Sequence, residues 1–296
     1  MRTLFVVNPA AGSGRCGRQI GRVIQRLKAE GLSCETTQTT GPGHATTLVR
    51  EARAQGVHRF IIVGGDGTGF EVLNGLFDDT TAPTPTLGYL PLGTGNSFIR
   101  DLGITDEDTA VSALLRDTPQ PVDVLRATTT DGAFFSINLI SAGFTADAGE
   151  LMNRRFKSLG TLGYVAGVVG RLATLSAPSL PIALDGGPVD TRPATLLSFC
   201  NSRCTGGTMQ MAPDARLSDG QVDIIRVGKM SRTRLLTAFP RIFRGTHLAM
   251  PEVESATAKR VTIDIGHPVD WMVDGEILRR ELTEIEVLPG HVQVLA

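Results

Sequence analysis

Apolar and polar positions in the first 120 residues alternate between strand and helix periods. A buried strand is predicted from Thr3 to Val7, and apolar residues at helical spacing follow it until the chain reaches Gly31. Three further strands with helices between them continue the series. This alternation predicts a parallel sheet covered by helices, with a ligand site at the carboxyl ends of its strands. The further predicted strands are about 33–37, 60–63 and 86–90. The predicted helices are one that carries Ile20, Val23, Ile24 and Leu27 and stops at Gly31, one at about 44–54 and one at about 69–77.

The pattern changes to strands near Pro119 and Pro121. Beyond them most apolar runs are short, and glycine or proline turns divide them, which is typical of a β-rich domain. We therefore expect an α/β domain over residues 1–122 and an all-β domain over residues 123–288. Two helices are predicted to interrupt the second domain, at about 147–176 and at 231–243. The strands predicted in it are 122–126, 134–140, 195–201, 222–227, 261–265 and 282–288.

Composition and charge limit the classes of function. Of 296 residues 41% are apolar, which is enough to bury a core in each of two domains. The 29 basic and 30 acidic residues give a net charge of −1, which argues against a nucleic-acid partner. The first apolar run is too short for a signal peptide and no run reaches the length of a membrane span. A cytoplasmic protein is therefore expected.

A glycine-rich loop from Asn8 to Gly14 separates the first strand from the first helix. Main-chain N–H groups at such a turn favour an anion. Gly12, Gly14 and Gly17 also have the spacing of the dinucleotide fingerprint, with Glu35 where a ribose-binding acid would lie. Against an NAD(P)-dependent oxidoreductase, four residues separate the strand from the first glycine, whereas the fingerprint needs its turn at the strand end. A turn without any ligand is the structural alternative.

A second loop follows the third predicted strand directly and reads Gly64-Gly65-Asp66-Gly67-Thr68. Three glycines within four residues let the backbone adopt positive φ and bring its N–H groups against phosphate oxygens. Asp66 is then a carboxylate among phosphates, which repels a nucleotide unless a cation stands between them, so Mg²⁺ is implied. A plain turn is again the alternative.

A third loop, Gly93-Thr94-Gly-Asn96-Ser97, follows the next strand and supplies neutral donors and acceptors. The carboxyl ends of parallel strands meet at one edge of a sheet, so three polar glycine loops after three strands predict one nucleotide site. The chain contains no GxxxxGKS or GxxxxGKT sequence, which excludes the P-loop form of such a site.

Taken in order, these motifs resemble those of the diacylglycerol kinase catalytic-domain family, which includes sphingosine, ceramide and bacterial lipid kinases. The resemblance covers nearly the whole chain. It implies a three-layer nucleotide-binding domain like that of NAD kinases and phosphofructokinases, then a β-sandwich domain, with residues 289–296 returning to the first domain. The matching blocks are Asn8 to Gly12, Gly64 to Thr68 with Glu71, Pro91 to Asn96, Asn138 to Ala146, Gly206 to Gly220, and Val273 to Glu276.

The resemblance implies an ATP-dependent kinase that phosphorylates a hydroxyl of diacylglycerol or a related lipid alcohol. Glu276 would be the general base, with Asp274 beside it. Asp66 is the rival for this role, because a carboxylate beside the γ-phosphate can take either a metal or a proton. By spacing alone, Val273 to Glu276 is also a plain β-turn between two strands.

The resemblance further implies a metal site and a set of nucleotide contacts. The carboxylate of Asp219 would hold a structural Mg²⁺ together with the main-chain oxygens of Arg216 and Gln221. ATP and Mg²⁺ are thus the expected cofactors, and a lipid is the expected substrate. The implied ATP contacts are Asn8, Gly12, Ser13, Thr39, Gly64, Gly65, Asp66, Gly67, Thr68, Glu71, Gly93, Thr94 and Asn96.

Three positions depart from the family pattern. Ala11 stands where the family usually has Ser, and Phe70 stands where it has Asn or His. Ser97 stands where the bacterial diacylglycerol kinases have Asp, which favours the sphingosine kinase form of the third loop. These departures keep a sphingosine-type kinase and a non-catalytic lipid-binding homologue open as alternatives.

Residues 229–250 form a basic stretch with large apolar residues and no acid. A basic amphipathic helix is typical of docking on an anionic membrane, so peripheral association with the inner membrane surface is expected. The alternative is a helix that faces the core and has a solvated basic face. The helix at about 147–176 is a second candidate for the lipid entrance, and a homodimer is left open. The basic residues are Lys229, Arg232, Arg234, Arg241 and Arg244.

Overall fold

The computed structural model describes residues 2–77, 84–144 and 175–296. In the predicted helix at about 147–176, the candidate lipid entrance, residues 147–174 lie outside the described residues. The chain divides into two compact units, one of Met1–Val122 with Gly290–Ala296 and one of Asp123–Pro289. Within the described ranges, no helix has the length and apolar character needed to cross a membrane.

The first unit is built on a parallel sheet with strands β1 (Thr3–Val7), β2 (Glu35–Gln38), β3 (Arg59–Gly64) and β4 (Thr86–Pro91). Their order is β2-β1-β3-β4, and the last residues of the chain run parallel beside β4 through Gln293 and Val294. Residues 60–63 are a continuous apolar run that is buried on both faces, as a central parallel strand requires. The predicted parallel α/β order is confirmed.

Helices follow the strands, and each buries one apolar stripe. The N-terminal end of the helix Glu107–Arg116 has a capping box, in which the Thr109 N–H donates to Asp106 Oδ1 at 2.9 Å. The helix after β3 begins at Asp66, three residues earlier than the sequence predicts, because Gly65 is extended and already acts as the N-cap. The helices of the first unit are α1 (Arg15–Ala29), α2 (His44–Ala54), α3 (Asp66–Leu76), α4 (Glu107–Arg116) and a 3₁₀ turn at Phe98–Leu102.

The second unit is the predicted β-sandwich. Its strands are β5 (Pro119–Thr129), β6 (Gly132–Ser136), β7 (Leu139–Gly143), β8 (Ile182–Leu184), β9 (Ala194–Cys200), β10 (Cys204–Thr205), β11 (Met209–Gln210), β12 (Val222–Gly228), β13 (Val253–Ala258), β14 (Arg260–Ile263), β15 (Val269–Val273), β16 (Glu276–Arg280) and β17 (Leu282–Leu295). One sheet has the antiparallel order β13-β12-β9-β7-β15-β16, and the other contains β6-β5, the first part of β17, β14 and β8.

The helix predicted over 231–243 is shorter than the sequence suggests. An α-helix, α5, spans Arg232–Ala238, and the chain then continues as 3₁₀ turns at Phe239–Arg244 and Thr246–Ala249. The prediction of one continuous helix is therefore wrong beyond residue 238. Pro240 lies in the first turn of the 3₁₀ segment, and it cannot donate the N–H that an α-helix would need there.

Candidate active site

The strand order of the first unit has a switch point between β1 and β3, because the chain moves from β1 to β2 on one side and to β3 on the other. Ligands of open α/β sheets bind outside the carboxyl ends of the strands at such a point. The loops that follow β1 and β3 are the first and second glycine loops of the sequence. The strand order therefore places the first and second glycine loops, which the sequence predicts to bind a nucleotide, at the same edge of the sheet.

Asn8 anchors the first loop at the end of β1. Its main-chain N–H donates to the Val63 carbonyl at 3.0 Å, and its Nδ2 donates to Thr68 Oγ1 at 3.1 Å. Its Oδ1 accepts the Ala10 N–H at 3.1 Å. Asn8 therefore ties the first loop to both the strand and the helix of the second loop.

The first loop then turns through three residues with positive φ. Gly12, Ser13 and Gly14 have φ of 60°, 56° and 80°. A Cβ at Gly12 would lie 2.5 Å from the Leu92 carbonyl oxygen, so this position needs glycine for space as well as for conformation. Glu35, the acid that an NAD-binding site would require, instead pairs with Arg2 at 2.7 Å.

Gly64 and Gly65 of the second loop serve close packing and not positive φ. Gly65 is extended with φ of −124°, and Gly64 and Gly67 are also outside the left-handed region, so the prediction of positive φ is wrong. The Gly93 N–H donates to the Gly64 carbonyl at 2.8 Å. A Cβ on Gly93 would lie 2.3 Å from Gly65 Cα, so the second and third loops touch backbone to backbone.

The carboxylate of Asp66 faces the third loop. The Ser97 main-chain N–H donates to both of its oxygens, at 2.9 Å to Oδ1 and 3.1 Å to Oδ2. A Cβ on Gly95 would lie 2.7 Å from Asp66 Oδ2, which keeps that position small. Asn96 has φ of 49°, and its Nδ2 donates to the Gly93 carbonyl at 3.2 Å. The third loop therefore surrounds the Asp66 side chain through Gly95 and Ser97.

Arg15 is a residue of this region that the sequence reasoning missed. It is the first residue of α1, and its Nη2 donates to the Gly93 carbonyl at 2.8 Å. The hydrogen bond joins the first loop to the third. The available signal was a guanidinium directly after a glycine loop expected to hold phosphate.

The remaining predicted nucleotide contacts of the first unit have different surroundings. Thr39 is buried at the end of β2, and its N–H donates to the Val7 carbonyl at 2.8 Å. Thr94 is exposed at the tip of the third loop. The carboxylate of Glu71 accepts the Gly43 N–H at 2.8 Å and the Ala45 N–H at 3.1 Å. Glu71 therefore caps the N-terminus of α2, where a negative charge is favourable.

In the second unit, Asp274 and Gly275 form a two-residue hairpin between β15 and β16. Their φ angles of 48° and 91° fit the type I′ turn that Asp-Gly favours, and Val273 pairs with Glu276. The hairpin places Glu276 as the first residue of β16. The plain-turn interpretation of this motif is thus correct as geometry and leaves the chemistry of Glu276 open.

The Asp274 side chain is buried and saturated with hydrogen bonds. It accepts from the Ser136 hydroxyl at 2.6 Å and from the main-chain N–H groups of Ile137, Asn138 and Leu139 at 3.0, 3.1 and 3.0 Å. Burial raises the pKa of the Asp274 carboxyl, and these four hydrogen bonds act in the opposite direction. Its contacts are those of a group that fixes the hairpin.

The predicted metal residues lie in the loop that leads into β12. Asp219 is exposed, and its Oδ1 accepts the Gln221 N–H at 3.1 Å. Burial, followed by the negative charges of Asp219 and Asp214, raises the pKa of Asp223 to about 6. One carboxylate and two main-chain carbonyls suit a hard divalent cation, which would also offset this repulsion. Within the described residues, no group of three or more His, Cys, Asp or Glu side chains is arranged to hold a metal.

Comparisons with known proteins match both halves of the chain. Residues 2–127 match the sequence model of the diacylglycerol kinase catalytic domain. Residues 138–296, more than half of the chain, match that of the YegS C-terminal NAD kinase beta sandwich-like domain.

Individual relatives align over almost the full length. The diacylglycerol kinase of Bacillus subtilis (strain 168) is 29% identical over 301 residues, covering 99% of this chain and 96% of the relative. The diacylglycerol kinase of Mycobacterium tuberculosis (strain ATCC 25618 / H37Rv) is 29% identical over 293 residues, covering 98% of this chain and 93% of the relative.

Solved structures agree with the sequence comparisons. A crystal structure from Bacillus anthracis (strain Sterne) has a TM-score of 0.81 at 26% identity, covering 99% of this chain and 94% of that one. Another crystal structure from the same strain, described as a diacylglycerol kinase, has a TM-score of 0.72 at 25% identity, covering 99% of this chain and 96% of that one. Because both halves of the chain match in sequence and the whole chain matches in structure, this protein belongs to the diacylglycerol kinase catalytic-domain family, with a YegS-type C-terminal β-sandwich.

Proposed function

We propose that this protein is an ATP- and Mg²⁺-dependent lipid kinase that transfers the γ-phosphoryl group to a hydroxyl of diacylglycerol or a related lipid alcohol. The observation that supports this most is the joining of the three glycine loops. Asn8 and Arg15 tie the first loop to the other two, and the Gly65–Gly93 contact joins the second to the third. A polar, backbone-lined cradle at a switch point suits a polyphosphate.

Phosphoryl transfer depends mainly on positioning and charge neutralisation. In this proposal the main-chain N–H groups of the three loops orient the phosphates. The Asp66 carboxylate, held by the Ser97 N–H, binds the cation that accompanies the nucleotide. The Mg²⁺ ion, when bound, supplies neutralisation of charge on the phosphate oxygens. Asp219, with the main-chain oxygens of Arg216 and Gln221, would hold a second, structural Mg²⁺ in the sandwich unit.

Glu276 would accept the proton of the acceptor hydroxyl as general base. Its place directly after the type I′ turn fixes its backbone, and the four hydrogen bonds to Asp274 hold that turn. We assign Asp274 a positioning role in this step. The remaining nucleotide contacts that we propose are Gly12, Ser13, Thr39, Gly64, Gly67, Thr68, Glu71, Thr94 and Asn96.

Direct assay of phosphoryl transfer tests this function. Purified protein is incubated with γ-labelled ATP, Mg²⁺ and separate pools of diacylglycerol, sphingosine, ceramide, phosphatidylglycerol and NAD, and the lipids are then extracted. We expect a labelled product in the organic phase from the diacylglycerol pool, and none when the metal is chelated. Label in the sphingosine pool instead would indicate a sphingosine-type kinase. Absence of a labelled lipid from every lipid pool, together with absence of a labelled aqueous product from the NAD pool, would contradict kinase activity and favour a non-catalytic lipid-binding homologue.

Thermal unfolding with ligands separates the kinase from an NAD(P)-dependent oxidoreductase. A ligand that binds only the folded state raises the melting temperature by mass action. We expect a rise with ATP and Mg²⁺ and none with NADH, because Glu35 is engaged by Arg2. A rise with NADH alone would support the oxidoreductase.

We also propose that an anionic bilayer binds the surface formed by Lys229, Leu236, Arg241 and Arg244. These side chains are exposed, and Leu236 retains 45% of its surface. Arg234 Nε forms a salt bridge with Glu252 Oε1 at 2.8 Å, so Arg234 adds less positive charge to this surface. Leu235 and Ile242 pack on the hydrophobic core, so one side of residues 229–250 faces inward. This agrees with the alternative interpretation of the stretch, a core-facing helix with a solvated basic face. An exposed apolar side chain among cations suits the surface of an anionic leaflet.

Reversing two of these charges should release the protein from vesicles. Arg241→Glu with Arg244→Glu is expected to weaken binding to phosphatidylcholine vesicles that contain phosphatidylglycerol by at least about tenfold, since each basic residue near such a surface adds about 1 kcal/mol. Lys28→Glu with Lys259→Glu, at two exposed positions elsewhere, is the matched control in the sedimentation assay. Equal loss in both double variants would show that net charge, and not this surface, governs binding.

A further inference from the structure

The hairpin that carries Glu276 and the loop that carries Asp219 are connected through buried polar groups. The connection begins at Asp274, whose carboxylate accepts three main-chain N–H groups from residues 137–139 and the Ser136 hydroxyl. The Asp274 N–H in turn donates to the Leu139 carbonyl at 3.1 Å. Movement of residues 136–139 therefore moves the turn that precedes Glu276.

Asn201 holds the other side of the same segment. It is fully buried, its N–H donates to the Asn138 carbonyl at 2.8 Å, and its Nδ2 donates to the Ile137 carbonyl at 2.8 Å. The Nδ2 also donates to the Asp123 carbonyl at 2.9 Å. The Asn138 side chain is fixed as well, because its Oδ1 accepts the Ser202 hydroxyl. One amide group thus bridges the segment below the hairpin and the start of the sandwich unit.

Asp123 continues the connection into the metal loop. It is 1% exposed, its N–H donates to the Leu217 carbonyl at 2.7 Å, and its Oδ2 accepts the Gly220 N–H at 2.7 Å. These two contacts lie on either side of Asp219. The loop that presents the proposed metal ligand is therefore held by the residue that Asn201 bonds.

The Asn201 side chain has a feature that stability alone does not explain. Its Oδ1 is buried and has no hydrogen-bond partner among the described residues, which carries a desolvation cost. The two carbonyls that accept from Nδ2 fix the amide in this orientation. A buried polar group retained at such a cost is consistent with a role in holding two segments in one register.

We propose that Asn201 is a positioning residue that couples the Glu276 hairpin to the metal loop of residues 216–221, so that metal binding and the geometry of the base depend on each other. This inference rests on the proposed kinase function. The buried hydrogen bonds of Asn201 would transmit a displacement of the Glu276 hairpin to the metal loop, and the reverse. Couplings of this kind change the affinity for a ligand by about two- to thirtyfold. The same change should act in both directions, because coupling between binding equilibria is reciprocal.

Asn201→Ala tests this coupling by two measurements. Mg²⁺ alone is titrated into nucleotide-free protein by calorimetry, and the pH profile of kcat is recorded with a water-soluble short-chain diacylglycerol. We expect the Kd for Mg²⁺ to rise about two- to thirtyfold and the acidic limb of the profile to shift. Ser136→Ala, a milder change at the far end that removes one donor to Asp274, should weaken Mg²⁺ binding in the same direction.

Ser198→Ala is the matched control. Ser198 is buried in β9, three residues before Asn201, and its hydroxyl bonds the Ser141 hydroxyl at 2.5 Å, outside the bridge. It should change neither measurement. If Asn201→Ala and Ser136→Ala lower the melting temperature but leave Mg²⁺ affinity unchanged, the bridge is only structural and the inference is overturned, as it is if the wild type binds no Mg²⁺. Failure of the kinase function is seen separately, as absent phosphoryl transfer by the wild type.

Discussion

Replacing Glu276 with glutamine should lower kcat by at least about 100-fold while the affinity for ATP is kept. Glutamine has the same shape and can accept a hydrogen bond, but it cannot take the proton of the acceptor hydroxyl. A positioned general base contributes roughly 10²- to 10⁴-fold to the rate. The proposed nucleotide loops belong to the other compact unit, so ATP binding should be preserved. Initial rates with short-chain diacylglycerol, together with ATP titration, measure both quantities.

Glu281→Gln provides the control for this experiment. Glu281 is a half-exposed acid of the same unit, five residues further along the chain, and its neutralisation should leave kcat within about twofold of the wild type, as for most surface changes. Near-normal activity of Glu276→Gln would remove it as the base. If Asp66→Asn then abolished turnover while the affinity for ATP with Mg²⁺ was kept, the role would pass to Asp66, whose carboxylate is held by the Ser97 N–H in the first unit.

The general plan of the fold could be predicted because it depends on local patterns. The apolar run at residues 60–63 and the helical spacing between strands are sufficient to identify a parallel α/β unit. The short strands after residue 122 likewise identify a β-rich unit. The early end of the helix at Arg232–Ala238 is also predictable from Pro240, although the apolar spacing alone favours a helix that continues to residue 243.

The finer features of the candidate site depend on contacts between distant parts of the chain. The sequence predicts positive φ and phosphate contact for Gly65 and a place in the nucleotide site for Gly93, whereas in the structure the closeness of the two residues to each other explains why both are glycine. No local pattern could show that residues separated by 28 positions would touch. The position of Asp274 beside Glu276 suggested chemistry, but the four donors that enclose it come from residues 136–139. The surroundings of Glu71 likewise depend on a distant segment, because its carboxylate accepts main-chain N–H groups at the start of α2.

Gly93→Ala should damage the proposed nucleotide cradle, because the added methyl group would collide with the backbone of the second loop. The new Cβ would lie 2.3 Å from Gly65 Cα and 2.6 Å from Gly65 N, and these backbone atoms cannot rotate away as a side chain could. The second and third loops must therefore separate. Overpacking of this kind costs about 1–3 kcal/mol of stability. A displacement of about 1 Å at a reacting site can cost about 100-fold, so we expect ATP affinity or turnover to fall by at least about tenfold.

Gly21→Ala separates this steric effect from the general effect of adding a methyl group. Gly21 lies within α1, and a Cβ there would meet nothing within 4 Å. Because alanine is the better helix former, this control should gain about 0.5–1 kcal/mol of stability and bind ATP as the wild type does. Denaturant unfolding and ATP titration measure both variants. If Gly93→Ala binds ATP and turns over as well as Gly21→Ala does, the contact between the second and third loops is not part of the nucleotide site. The proposed cradle would then have to be confined to the first loop and the start of α3, where Asn8, Gly12 and Thr68 lie.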